Sequence, residues 1–120
     1  MMKLDSILVF SEKPKALAAF YEKVFGKKPG WVQDGYFGFD VGGYFMVGPH
    51  DAVHGKAKDA KRIMINFGVK DVKKEFTRIK KIGAKVVAEP YQPGEGSGMW
   101  LATFSDPDGN YFQLGSEMKM

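Results

Sequence analysis

The 120-residue sequence predicts an α+β fold made of two modules on one plan, a strand, a helix and three further strands (βαβββ). Three observations carry that expectation. Two amphipathic helical stretches each follow a short β-prone run; each stretch ends at a glycine, Gly26 or Gly83; and each is followed by three more strand candidates. The modules cover about residues 5–48 and 62–116 of one domain spanning 1–120, and residues 49–61 read as a polar linker.

In the first module, SILVF (Ser6 to Phe10) is the opening strand, and Pro14 suits the first turn of the helix that follows. Leu17, Phe20, Tyr21 and Val24 recur at i, i+3, i+4 and i+7, which is one apolar stripe, and Gly26 closes the helix. Strands are expected around Gly30 to Gln33, Tyr36 to Val41 and Tyr44 to Gly48, the last two joined by a tight turn through Gly42 and Gly43.

The second module repeats the order. RIMINFGV (Arg62 to Val69) is its opening strand, with Ile63, Ile65, Phe67 and Val69 on the core face and Met64 and Asn66 on the other. Asp71 is a good N-cap for a helix whose stripe is Val72, Phe76 and Ile79. Strands follow at Lys85 to Ala88, Met99 to Phe104 and Asn110 to Leu114, and Asp106-Pro107-Asp108-Gly109 supplies the turn before the last. The repeat is read as one of pattern rather than of residue identity.

Composition removes several classes of function. There is no cysteine, so disulfides, thiol nucleophiles and thiolate metal sites are excluded, which also fits a cytoplasmic protein. No apolar run approaches the roughly 20 residues of a membrane-spanning helix, and MMKLDSILVF lacks the pattern of a signal peptide. The net charge of +4 is spread along the second helix (Lys70, Lys73, Lys74, Arg78, Lys80, Lys81) and the linker (Lys56, Lys58, Lys61, Arg62). That is the pattern of solvated surfaces, and no nucleic-acid-binding motif accompanies it. No G-x-S-x-G elbow or thiol is present for nucleophilic catalysis. GEGSG (Gly94 to Gly98) lacks the Lys-Ser/Thr of a phosphate loop and reads as a flap. Asp106, Asp108 and Asn110 resemble the start of a calcium loop without its bidentate Glu. His50 and His54 have i, i+4 spacing but no acidic partner between them, and read as linker residues.

FYEKVFG (Phe20 to Gly26) and FSDPDGNYFQL (Phe104 to Leu114), set in this doubled pattern, resemble the vicinal oxygen chelate superfamily of glyoxalases, bleomycin-resistance proteins and extradiol dioxygenases. The resemblance runs from about Ile7 to Gly115 and implies a curled, cup-shaped mixed sheet with the helices on its convex side. It also implies four metal-ligand positions in the cup, and these fall near Ser6, Met46, Met64 and at Gln113, with Asp5 one residue away from the first. A hydroxyl, two thioethers and an amide make a poor set for a divalent metal, so no metal and no other cofactor is expected.

What remains is an aromatic and thioether wall with polar tips. Trp31, Tyr44, Met46, Met64, Trp100 and Tyr111 are expected to form the wall, with Tyr36, Phe37 and Met99 nearby, and Ser6, Asn66 and Gln113 to supply hydrogen bonds. The leading expectation is a metal-independent small-molecule-binding protein of the bleomycin-resistance kind, a homodimer with no nucleic-acid or membrane partner. A metal-dependent lyase, isomerase or dioxygenase, and a regulatory module with a vestigial cup, are the alternatives.

Overall fold

The computed structural model describes residues 2–94, 96 and 98–117, and the chain falls into two compact units that part between Gly55 and Lys56. Glu95 and Ser97 of the expected flap lie outside the described residues. The first unit contains β1 (Ser6–Phe10), α1 (Pro14–Phe25), β2 (Trp31–Gln33), β3 (Tyr36–Asp40) and β4 (Tyr44–Gly48). The second contains β5 (Ile65–Val69), α2 (Val72–Lys81), β6 (Lys85–Tyr91), β7 (Leu101–Ser105) and β8 (Tyr111–Ser116). Each is a βαβββ module whose four strands form an open mixed sheet, in the orders β1-β4-β3-β2 and β5-β8-β7-β6. In each, the first strand pairs in parallel with the last, and the remaining pairs are antiparallel.

In α1, Pro14 occupies the first turn, where its missing N–H costs nothing, and Gly26 ends the helix at φ 70° with its N–H on the Glu22 carbonyl at 2.9 Å. The helix buries Leu17, Ala18, Tyr21 and Val24. Phe20, expected in the stripe, is only half-buried, and Ala18 takes that place on the core side. Beneath the helix is an aromatic core: Phe45 meets Tyr21 at 4.7 Å and Phe25 at 5.3 Å, and Phe25 meets Phe39 at 5.2 Å. These rings mark the face of the first sheet that carries Phe39, Phe45 and Val47 as the helix side.

The second unit is built the same way with a better-capped helix. Asp71 accepts the Lys74 N–H at 3.0 Å, satisfying one donor that the first turn of α2 leaves over, and Val72, Phe76 and Ile79 are buried. Its core is a file of rings, Phe76 on Phe104 at 5.2 Å and Phe104 on Phe112 at 5.6 Å, with Phe67 edge-on to Phe112. The turn before β8 closes on one carboxylate: Asp106 is buried and accepts the N–H groups of Asp108 (2.9 Å) and Asn110 (3.0 Å) and the Asn110 side-chain amide. Hairpin chemistry therefore uses the aspartate that resembled the start of a calcium loop.

β7 and β8 shift by one or two residues at each end, and two expected strands change their limits by three. β5 begins at Ile65 rather than Arg62, because Arg62 closes a turn with its N–H on the Asp59 carbonyl (3.2 Å), and Ile63, expected in the core, is 75% exposed. β6 runs on through Pro90 to Tyr91, which an edge strand tolerates because its outer side has no ladder to donate to. Its pairing with β7 slips twice, between Val86 and Ala88 and between Ala88 and Tyr91. Among the described residues no helix is long and apolar enough to cross a membrane.

Candidate functional site

Strand alternation leaves each sheet with a second face, away from its own helix, and the registers assign its rows. In the first unit, Leu8, Met46, Gly38 and Trp31 lie side by side across β1, β4, β3 and β2. One row towards the start of β1 are Ser6, Tyr44 and Asp40; one row the other way are Phe10, Gly48, Tyr36 and Gln33.

Glycine creates the relief on this face. A Cβ on Gly38 would meet the Trp31 ring at 3.4 Å, so the indole lies directly on the strand where a larger residue would lift it. At Gly48 the contact is closer still: a Cβ would fall 2.2 Å from two carbons of the Tyr36 ring. Tyr36 is held there by Phe10 edge-on at 6.5 Å and by its hydroxyl donating to the Pro49 carbonyl at 3.2 Å. On the Tyr44 side of the Trp31–Gly38 contact a cavity of about 260 Å³ opens, lined by Trp31, Gly38, Tyr44 and Met46. Trp31 and Tyr44 are 44% and 52% exposed, so both rings remain available to a ligand.

The second unit carries the matching rows with different chemistry. Asn66, Gln113 and Thr103 lie side by side across β5, β8 and β7. Tyr111 faces Ser105 on one side of this row, and Gly68, Gly115 and Leu101 form the row on the other. Here Gly115 is the permissive residue, since its Cβ would meet the Asn66 amide oxygen at 2.9 Å.

Sequence reasoning placed Ser6, Trp31, Tyr44 and Met46 on one face, and the structure brings them together. Asn66, Tyr111 and Gln113 share the corresponding face of the second sheet, and Met64 lies just before β5. Trp100 does not join them. It precedes β7, and the Lys73 ammonium of α2 lies 3.9 Å from its ring centroid, so its indole is engaged on the helix side. Phe37 also points that way, opposite Val47. His50 and His54 diverge. The His50 ring is edge-on to Phe10 at 5.0 Å, with Nδ1 accepting the Ala52 N–H at 3.0 Å, while His54 faces Glu12 at 3.8 Å. The same Glu12 oxygen accepts the Gly55 N–H at 2.7 Å, which ties this stretch of the linker to the first unit.

Leu8 and Thr103 are residues the sequence reading missed. The signal for Leu8 is that β4 reads YFMVG and β8 reads YFQLG, so the closing strands repeat Tyr, Phe and Gly in identity as well as in pattern. Aligning them sets Met46 against Gln113, and through the parallel registers sets Leu8 against Asn66.

The profile of the glyoxalase-like domain family matches residues 6–115, nearly the whole of both modules. The chain belongs to this family. Membership places the glyoxalase-like chain in the vicinal oxygen chelate superfamily, as its two βαβββ modules suggested. Solved structures with the same fold include a glyoxalase/bleomycin resistance protein/dioxygenase family enzyme from Burkholderia phytofirmans PsJN, at TM-score 0.74 and 21% identity over 95% of this chain and 98% of that one. A glyoxalase-related enzyme from Fulvimarina pelagi matches at 0.77 and 16% identity over 98% and 89%. A glyoxalase/bleomycin resistance protein/dioxygenase from Nocardioides matches at 0.78 and 11% identity over 99% and 85%. At these identities the likeness is one of fold. No curated protein matches the sequence.

The metal of the family enzymes can be tested against the side chains of this glyoxalase-like chain. The transferred positions hold a Ser6 hydroxyl, the Met46 and Met64 thioethers and the Gln113 amide; the in-register neighbours Leu8 and Asn66 add a hydrocarbon and a second amide. Zinc, iron and manganese are held by imidazole, thiolate or carboxylate, and the residues present do not fit them. Among the described residues no group of three His, Asp or Glu could hold an ion.

Proposed function

We propose that this glyoxalase-like protein binds a small planar or amphipathic molecule, and does so without the divalent metal of the family enzymes. The observation that carries the reading is Trp31 laid on Gly38 beside Met46 and Tyr44, at the border of a cavity of about 260 Å³. Two rings and a thioether make an adaptable apolar wall, and a cavity of this size suits a bicyclic compound. The donor set at the family's ligand positions supports the metal-free half of the proposal.

Calorimetric titration with 2-naphthol tests the first half. Saturable binding is expected, and Trp31→Ala should weaken it about ten-fold, a loss of roughly 1.4 kcal/mol of stacking and apolar contact. The non-planar analogue 2-decalol should bind more weakly than 2-naphthol. Equal affinity of wild type and Trp31→Ala for 2-naphthol would remove the indole from the site.

For the metal-free half, protein dialysed against a chelator is expected to keep its melting temperature. Gln113→Glu supplies one carboxylate without the others, and it should take up no stoichiometric zinc, nickel, manganese or iron. A tight one-to-one complex with any of the four ions, in either protein, would return the chain to the metal-dependent members of its superfamily.

A further inference from the structure

We propose that the exposed side of α2 is a docking surface for a partner protein, and that the part it receives is an α-helix carrying Asp or Glu at heptad spacing. This surface lies on the helix side of the second unit, away from the row of Asn66 and Gln113, and the inference is independent of the ligand-binding reading.

Charge is concentrated there. The first unit is balanced, with six Lys and Arg against six Asp and Glu, whereas the second has twelve against eight, so the whole net charge of +4 belongs to the second. Val72, Phe76 and Ile79 turn one side of α2 to the core, and the other side exposes Lys73, Lys74, Thr77, Lys80 and Lys81. At about 100° per residue these five fill an arc of about 120°, with no acid and no apolar side chain among them. The acids of this helix are engaged elsewhere: Asp71 caps the first turn, and Glu75 holds Arg78 at 2.8 Å. Among the described residues no carboxylate pairs with any of the four lysines. Neither the fold nor the helix requires this arrangement. α1 has the same place in the sister module, yet it exposes Lys15, Ala16, Ala19 and Lys23. Lys73 and Lys74 are the second and third residues of α2, where the positive end of the helix dipole disfavours cations. Local rules are broken in this way where a surface serves a partner.

Spacing selects the partner. Lys73 and Lys80, and likewise Lys74 and Lys81, are seven residues apart, so they form two columns that each step about 10.5 Å along the axis. A second α-helix laid alongside advances by the same step, so carboxylates at heptad positions meet both columns without distortion. One ammonium is already held in place, since that of Lys73 lies over the Trp100 ring, 3.9 Å from its centroid. A bilayer would need an apolar face to insert, and that of α2 is buried in its own unit. A nucleic-acid groove would need a helix that projects, whereas α2 packs against β6, β7 and β8 and offers cations on only a third of its circumference.

Fluorescence anisotropy with the full chain and labelled synthetic peptides tests this at low salt. The probe is a capped Ala-Gln helix with pairs of Glu at heptad spacing, and its control has the same composition with the Glu residues scattered round the helix. Saturable binding of the probe is expected, at least about three-fold tighter than of the control, and weaker as salt is raised to about 150 mM. Lys74→Gln combined with Lys81→Gln should weaken the probe about three- to ten-fold, as loss of two exposed ion pairs does. Lys15→Gln combined with Lys23→Gln on α1 removes the same charge and should leave probe binding unchanged. Lys74→Gln alone should raise the melting temperature slightly, because it removes a cation from the first turn, and this reports that the fold is kept. Absence of saturable binding, equal binding of the scattered control, or an equal loss from the α1 pair would overturn the proposal. Tighter binding, at the same salt, to phosphatidylserine vesicles or to a DNA duplex than to the probe would overturn it as well, by giving the lysine face to a membrane or a nucleic acid.

Discussion

Phe112→Ala should destabilise the protein by about 3–5 kcal/mol. The ring is fully buried, stacked on Phe104 at 5.6 Å and met edge-on by Phe67 at 6.0 Å, and Phe104 is itself stacked on Phe76 of α2. Truncation removes the middle of that file, so the cost combines lost burial with a cavity that strand β8 cannot close while it remains paired on both sides. Against a typical domain stability of about 5–15 kcal/mol, this loss is large enough to leave the second unit partly unfolded at room temperature. Urea denaturation checks it. Phe112→Leu should recover most of the lost stability, because it refills much of the volume. A cost below about 1 kcal/mol for Phe112→Ala would mean that the ring file is not the core of this unit.

Gly48→Ala is expected to cost about 1–3 kcal/mol, through crowding rather than a cavity. The added methyl would fall 2.2 Å from the Tyr36 ring, which can escape only by giving up its edge contact with Phe10 and its hydrogen bond to Pro49. The diagnostic is the double mutant. With Tyr36→Ala in the background the methyl has room, so Gly48→Ala should then cost less, giving a coupling of about 0.5–3 kcal/mol between the two sites. Matched denaturation curves with unchanged slope read the difference directly. Additive costs would show that the glycine is needed for its backbone alone.

The sequence carried much of this architecture because the relevant signals are local. Pro14, Gly26, Asp71 and Gly83 mark helix limits through backbone chemistry that needs no partner, and the alternation of Tyr44 to Val47 and of Tyr111 to Leu114 sorts each closing strand into two faces. The errors arise where the answer belongs to another strand. Ile63 has the right parity for the core but lies where β5 has not yet begun. Trp100 has the parity of the buried Ala102 and Phe104, and Lys73 of α2 meets its ring on that side. The roles of Gly38, Gly48 and Gly115 are invisible in one dimension, because each is defined by a ring or amide from elsewhere in the fold. Leu8 offers no donor atom, whereas Ser6, two residues earlier on the same face, stands where a metal ligand would be sought.

The Tyr-Phe-x-x-Gly strand that closes both units has a practical consequence for redesign. Its second and fourth letters, Phe45 and Val47 in one unit and Phe112 and Leu114 in the other, are buried and answer to the scaffold. Its fifth letter clears space for a neighbour, Tyr36 in one unit and the Asn66 amide in the other. The third letter is methionine in one unit and glutamine in the other, at the same register position of the same kind of sheet. An engineer therefore has a duplicated socket with one interchangeable pin: Met46 and Gln113 can be varied, together with Leu8 and Asn66 beside them, while the letters that hold the two folds stay untouched.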